Sequence, residues 1–313
     1  MKPRHFIDLR DCTLAEVNRI LALAEELKAG YFAGKRPPIL ERKVLGLIFE
    51  KMSLRTRVSF EAGMAHLGGS SMLLEERHIG FGKRETVADI SRVLSSMVDA
   101  IIFRAKKHES VLELARYSSC PVINALTDRS HPCQALADML TIKEEFGRYE
   151  GIKIAWVGDS NNVAASLIEA AAKLGASVVV SSPDGYQFSD EALATLTAGE
   201  TASGFSVERV TNPFEAVRGA KAVYTDVWVS MGQESEEETR KKVFADYQVN
   251  DALMAKADSD AIFLHCLPAR RGLEVTDSVI DSAQSRIVQE ASNRMHAQKG
   301  LLVWLLNEAN TER

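Results

Sequence analysis

Residue types that can do chemistry are gathered at a few places in this chain, most densely in Phe49-Glu50-Lys51-Met52-Ser53-Leu54-Arg55-Thr56-Arg57-Val58-Ser59-Phe60-Glu61. Ser53, Arg55, Thr56 and Arg57 lie between an apolar, strand-like run, Val44 to Phe49, and a helix-like run, Ser59 to Leu67. A helix N-terminus offers unpaired backbone N–H groups and a partial positive charge, and arginine adds forked donors that fit phosphate oxygens in pairs. The chemistry on offer is capture of a small phosphate compound. A capped surface helix with solvated arginines fits the same residues, so the choice falls to other segments.

Arg104 follows the strand-like run Ala100 to Phe103, and a strand's carboxyl end is where doubly wound sheets bind ligands. In Asn124 to Gln134, His131 stands before Pro132 at a helix start, with Gln134 one turn on. An imidazole and a carboxamide there can polarise a carbonyl as hydrogen-bond donors, whereas a plain helix start is the ordinary reading. Cys133 between them reads as core. Gly158-Asp159-Ser160-Asn161-Asn162 sits where a dinucleotide fingerprint would, yet lacks its glycines, which disfavours a nicotinamide enzyme. The paired asparagines suit a smaller polar ligand. Asp226 can meet an amino group and Ser230 can hydrogen-bond beside it; the acidic run Glu234 to Glu238 reads as a solvated face. His265 and Cys266 with His131 raise the thought of a metal, but no ligand spacing supports one.

The elements that must position these groups alternate as strand and helix. Strand runs are expected at Val44 to Phe49, Ser71 to Leu74, Ala100 to Phe103, Val122-Ile123, Ile152 to Val157, Ser177 to Ser181, Phe205 to Val210, Ala222 to Tyr224 and Ala261 to Leu264. Helical patterns fall between them, the first capped by Thr13 with Glu16 at the capping-box distance. The rhythm predicts an α/β protein: two doubly wound parallel-sheet domains with a cleft between them. The boundaries expected are 1–133 plus 290–313 for one domain and 150–285 for the other, with 134–149 as a connecting helix. The apolar last helix, Ala297 to Leu306, is expected to return to the first domain.

A chain of 313 residues with 46% hydrophobic and 26% charged residues suits a globular protein of two domains. The net charge of −5 disfavours a nucleic-acid or anionic-membrane partner. No apolar run is long enough for a membrane span, and the four scattered cysteines suit a reducing compartment, so a cytoplasmic location is expected.

Taken together, the motifs resemble those of the aspartate/ornithine carbamoyltransferase family over essentially the whole chain. Its S-x-R-T-R is Ser53 to Arg57 and its H-P-x-Q is His131 to Gln134. The ornithine branch's G-D-x-N-N is Gly158 to Asn162, its D-x-W-x-S-M-G is Asp226 to Gly232, and its H-C-L-P is His265 to Pro268. The resemblance implies transfer of the carbamoyl group of carbamoyl phosphate to the δ-amine of L-ornithine, without metal or organic cofactor. It implies a carbamoyl-phosphate site from Ser53, Leu54, Arg55, Thr56, Arg57, Arg104, His131 and Gln134, with Cys266, Leu267 and Arg294 at the carbamoyl group. It implies an ornithine site from Asn162, Asp226, Ser230 and Met231, and names Arg55, Arg104, His131 and Cys266 as catalytic. His78 stands in a segment that relatives donate to a neighbouring subunit, and a homotrimer or a multiple of it is implied. Leu54 replaces the family's usual threonine. Another amine acceptor, putrescine or N-acetylornithine, is the alternative within the family, and an NAD-dependent oxidoreductase the alternative outside it.

Overall fold

The computed structural model describes residues 2–75, 80, 85–229 and 234–309. His78, Ser230 and Met231 therefore lie outside the described residues. The chain forms two compact units, Met1–Leu140 with Ser292–Arg313, and Thr141–Ala291.

The first unit carries α1 (Leu14–Phe32), β1 (Val44–Phe49), α2 (Leu54–His66), β2 (Ser70–Glu75), α3 (Val87–Ser95), β3 (Ala100–Arg104), α4 (His108–Tyr117), β4 (Val122–Leu126) and the start of α5 (Pro132–Phe146). Thr13 and Glu16 close a capping box at the start of α1. The four strands are all parallel, in the order β2-β1-β3-β4. Ile101, Phe103 and Val122 pack with Val111 and Leu114 of α4, which is why these strands read as continuous apolar runs. The chain leaves β1 for β2 on one side and returns to β3 on the other, so the carboxyl ends of β1 and β3 flank a topological switch point. Ser53 and Arg104 are placed there by the topology itself.

The second unit holds β5 (Lys153–Val157), α6 (Asn162–Leu174), β6 (Ser177–Ser181), α7 (Asp190–Leu196), β7 (Ser206–Val210), α8 (Pro213–Val217), β8 (Ala222–Tyr224), α9 (Glu237–Val243), α10 (Asp251–Met254), β9 (Ile262–Leu264), α11 (Asp277–Ile280) and the start of α12 (Ile287–Val303). Its five parallel strands run β7-β6-β5-β8-β9, so the switch point lies between β5 and β8. The loops that follow those two strands carry Asn161 and Asp226. Gly158, at φ +136°, leaves β5 here; a Cβ on it would stand 3.4 Å from Thr225 Oγ1.

Two helices differ from the sequence reading. α2 starts at Leu54, not Ser59, because the Ser53 side chain caps it by accepting from Thr56 N; Arg55, Thr56 and Arg57 thus belong to its first turn. The final helix starts at Ile287, well before Ala297, and finishes in a π-helical turn, Trp304–Glu308. Its polar first half hides it from an apolar-run reading. Its later part packs on α1: a Cβ on Gly300 would stand 2.4 Å from Ile20 O, so only glycine permits this approach. Lys28 donates to Asn293 at 2.6 Å and Arg19 pairs with Glu308 at 2.6 Å, fixing the return to the first unit.

Candidate active site

In the first unit the site is built around one hydroxyl. Thr56 is fully buried, and its Oγ1 accepts from Arg104 Nη1 at 3.3 Å and Arg294 Nη2 at 2.7 Å. β3 delivers Arg104, α12 delivers Arg294, and the first turn of α2 delivers Thr56. A hydroxyl has two acceptor lone pairs and one proton. With both lone pairs engaged, Thr56 is left able to donate, and the direction of that donation is set by two guanidiniums.

His131 is buried at the start of α5, where its carbonyl accepts from Gln134 N at 3.0 Å. Burial holds its imidazole well below the usual histidine range, and the charges of Arg294, Arg104 and Arg55 press it further down. It is a neutral ring in a cationic setting, fit to polarise a carbonyl and unfit to act as a permanent cation. Gln134 is buried and donates to Asp138 Oδ1 at 2.8 Å, which orients its amide. Arg55 is half-buried, with its Nε shielded from solvent and without a hydrogen-bond partner among the described residues. Burial pushes the Cys133 thiol up to about 12 and its Sγ donates to Asn124 O, so it is core and inert.

Two expected phosphate-binding residues stand apart from this cluster. Arg57 points along the exposed face of α2 and pairs with Glu61 at 3.0 Å, an i,i+4 contact that the sequence spacing already contained. The Leu54 side chain is 77% exposed, so only its backbone N–H at the helix start remains for an anion.

In the second unit Asp226 is the centre. Its carboxylate accepts from Asn161 Nδ2 at 2.8 Å and from Cys266 Sγ at 3.1 Å. The Oδ1 of Asn161 caps α6 by accepting from Val163 N and Ala164 N. Asn161, rather than Asn162, is thus the asparagine that touches Asp226; Asn162 is the first residue of α6, half-buried. A carboxylate can accept about four hydrogen bonds, so Asp226 keeps capacity for an ammonium group. Leu267 adopts a left-handed conformation, φ 60°, before a cis peptide bond to Pro268. Its N–H donates to His265 Nδ1 at 2.9 Å, which leaves the ring proton on Nε2, facing Glu274 Oε1 at 3.3 Å. Glu290 ties the strand ends, accepting from Tyr224 OH at 3.1 Å and His265 N at 2.9 Å.

Asp226, His265 and Cys266 bring three potential metal-ligand atoms within 4.8 Å of one another. Both ring nitrogens of His265 and both oxygens of Asp226 are already engaged as described, so the cluster functions as a hydrogen-bond frame.

One residue escaped the sequence reading altogether. Arg240 of α9 is buried, donating to Asp159 Oδ2 at 2.9 Å, Trp228 O at 3.0 Å and Glu236 Oε2 at 2.8 Å. Its guanidinium also lies 4.9 Å from the ring centroid of Tyr186. It ties the loop after β5 to the loop after β8. Burial raises the Asp159 carboxyl above its ordinary range, an effect that Arg240 opposes. The only signal was one arginine following an acidic run, and Glu236 and Glu237 of that run are paired with Arg240 and Arg270.

Both units are parallel α/β sheets with polar groups gathered beyond the switch-point strands. Residues 4–144 match the model of the aspartate/ornithine carbamoyltransferase carbamoyl-P binding domain, and residues 150–305 match its Asp/Orn binding domain. The chain belongs to the aspartate/ornithine carbamoyltransferase family. It is 50% identical over 306 residues to an ornithine carbamoyltransferase of Anoxybacillus flavithermus, covering 98% of each chain. It is 48% identical to an anabolic ornithine carbamoyltransferase of Pyrococcus furiosus, over 97% of this chain and 96% of that one. A solved structure of ornithine carbamoyltransferase from Pyrococcus furiosus superposes with a TM-score of 0.93 at 48% identity, covering 97% of each chain.

Proposed function

We propose that this chain transfers the carbamoyl group of carbamoyl phosphate to the δ-amine of L-ornithine, releasing L-citrulline and phosphate. The observation that carries the reading is the Thr56 hydroxyl, held by Arg104 and Arg294 so that its proton faces outward from both guanidiniums.

The phosphate would be held by backbone N–H groups of Ser53, Leu54 and Arg55 at the start of α2, with Arg55 and Arg104 supplying charge. The uncharged amine attacks the carbonyl carbon, the new C–N bond forms, the C–O bond to phosphate breaks, and the amine's surplus proton leaves with the phosphate. Negative charge builds on the carbonyl oxygen. Thr56, Arg104 and neutral His131 would donate to it, each such donor being commonly worth about 3–4 kcal/mol. Gln134 joins His131 at the carbamoyl group, and Cys266, Leu267 and Arg294 complete the carbamoyl contacts. On the acceptor side Asp226 would meet the α-amino group and Asn162 the carboxylate, with Ser230 and Met231 beside them. Arg57 must leave Glu61 before it can reach a phosphate, so we assign it a lesser part. These roles make residues 1–133 with 290–313 the donor-binding domain, 150–285 the acceptor-binding domain, and 134–149 the helix joining them.

Among the described residues no helix is long and apolar enough to cross a membrane. Met52, Leu54 and Val58 are exposed beside the phosphate turn, as is Met72 on the edge strand β2. A homotrimer, in which a neighbouring copy covers such apolar surface and contributes His78, is the assembly we assign.

The reading is tested by incubating the protein with carbamoyl phosphate and ornithine and measuring citrulline and phosphate. Equal amounts of both products are expected; phosphate without citrulline, or neither, overturns it.

A further inference from the structure

The turn that precedes His131 is held by a ring of polar side chains for which the reaction has no direct use. Thr127 Oγ1 accepts from the backbone N–H groups of Arg129, at 3.3 Å, and Ser130, at 3.2 Å. Those two bonds occupy its lone pairs, so its proton goes to His108 Nδ1, 3.0 Å away. The His108 ring then carries its proton on Nε2, which faces Asp8 Oδ2 at 3.5 Å. The other oxygen of Asp8 accepts from Ser130 Oγ at 2.5 Å, and Ser130 Oγ in turn accepts from Asn124 Nδ2 at 2.9 Å. The ring thus starts and ends on the turn, and every proton in it has one direction. Asp8, His108, Thr127, Ser130 and Asn124 are all buried.

Asp8 comes from far away in sequence. The segment before it pairs with β4, Phe6 N donating to Val122 O at 2.9 Å and Asn124 N to Phe6 O at 2.8 Å. Arg10 Nη2 adds a further bond to Asp8 Oδ2 at 3.1 Å. His131 is therefore fixed on one side by α5, which begins at Pro132, and on the other by Ser130, one peptide bond away.

We propose that Asp8, His108, Thr127 and Ser130 form a positioning device that sets where the His131 imidazole stands. None of the four is assigned to touch substrate. The inference rests on the carbamoyl-transfer reading and deepens it, because a carbonyl-polarising donor works only at a set place: displacement of about 1 Å can cost about a hundredfold in rate. Removing the Thr127 hydroxyl leaves two backbone N–H groups and His108 Nδ1 without their common partner, and Asp8→Asn sets an N–H or a weakened acceptor against His108 or Ser130.

The test compares Thr127→Val, nearly isosteric, with Thr127→Ser, which keeps the hydroxyl, and with Asp8→Asn. Citrulline kinetics, thermal unfolding and ¹⁵N spectra of histidine-labelled protein are measured on each. The expected result is a kcat about tenfold or more below the parent's in Thr127→Val, with KM for ornithine within about twofold, and recovery to within about threefold in Thr127→Ser. His108 is expected as the Nε2–H tautomer in the parent and to lose that preference in Thr127→Val. A Thr127→Val enzyme with the parent's kcat, whatever its unfolding temperature, overturns the proposal and leaves a merely structural ring. So does a parent His108 carrying its proton on Nδ1. A parent that makes no citrulline overturns the functional reading instead, and this inference falls with it.

Discussion

The polar clusters of the two units are charged oppositely. In the first unit Arg104 and Arg294 converge on Thr56, Arg55 stands at the same helix start, and burial, helped by their charges, holds His131 well below the usual histidine range. In the second unit the central group is a carboxylate, Asp226, framed by an amide and a thiol. Both lie beyond the switch point of a parallel sheet, so the same topology has been given opposite electrostatics. A cationic half suits a phosphate-bearing donor and an anionic half suits an amine acceptor. On the proposed roles the contrast also sorts the residues: changes in the first unit's cluster are expected to alter kcat and carbamoyl-phosphate binding, and changes in the second unit's cluster the choice of amine.

The largest blow to that contrast is Arg104→Ala. It removes one anchor of Thr56 and, on the proposed reading, a donor to the carbonyl and a charge on the phosphate, so kcat is expected to fall about a hundred- to a thousandfold in the citrulline assay. Asp226→Asn strikes the other half without changing its shape. A charged hydrogen bond is worth about 1.5–3 kcal/mol, so the KM for ornithine is expected to rise about ten- to a hundredfold while affinity for carbamoyl phosphate, measured by calorimetry, holds.

His131 sharpens the comparison through pH. Because burial and three arginines hold its folded-state ionisation well below the ordinary histidine range, the unfolded chain takes up a proton near pH 6.5 that the native state refuses. The stability tied to this group is present above that pH and is lost as pH falls toward the depressed folded value, at up to about 1.4 kcal/mol per pH unit. Denaturant unfolding between pH 7 and 5 is expected to show a shallower loss in His131→Asn than in the parent. His66, also lowered, chiefly by burial, contributes its slope to both. The smallest effect is expected from Arg57→Ala: an exposed i,i+4 pair contributes about 0.3–0.5 kcal/mol, and kcat should stay within about threefold. A loss as great as that of Arg104→Ala would return Arg57 to the phosphate site.

Strand runs such as Val44 to Phe49 and Ser177 to Ser181 were legible because parallel strands buried on both faces are uninterrupted apolar runs. The donor motif was legible as an anion site because its residue types carry their chemistry locally. What stayed hidden depends on where a helix starts or on partners distant in sequence. Arg57 and Arg55 look alike in the motif, yet a helix that starts at Leu54 turns one toward Glu61. Asn161 and Asn162 are indistinguishable as letters until the cap and Asp226 claim the first. Arg240 gave no signal beyond an arginine after an acidic run and Asp8 gave none, since each matters through a tertiary contact made by a single residue.

The most direct test of the two oppositely charged clusters is a product assay with carbamoyl phosphate and a panel of amines: ornithine, putrescine, N-acetylornithine and aspartate, run on the parent and on Asp226→Asn. Strong preference of the parent for ornithine, relaxed when the carboxylate is neutralised, is the expected result. Preference for aspartate, or an ornithine preference that Asp226→Asn leaves intact, would contradict the account.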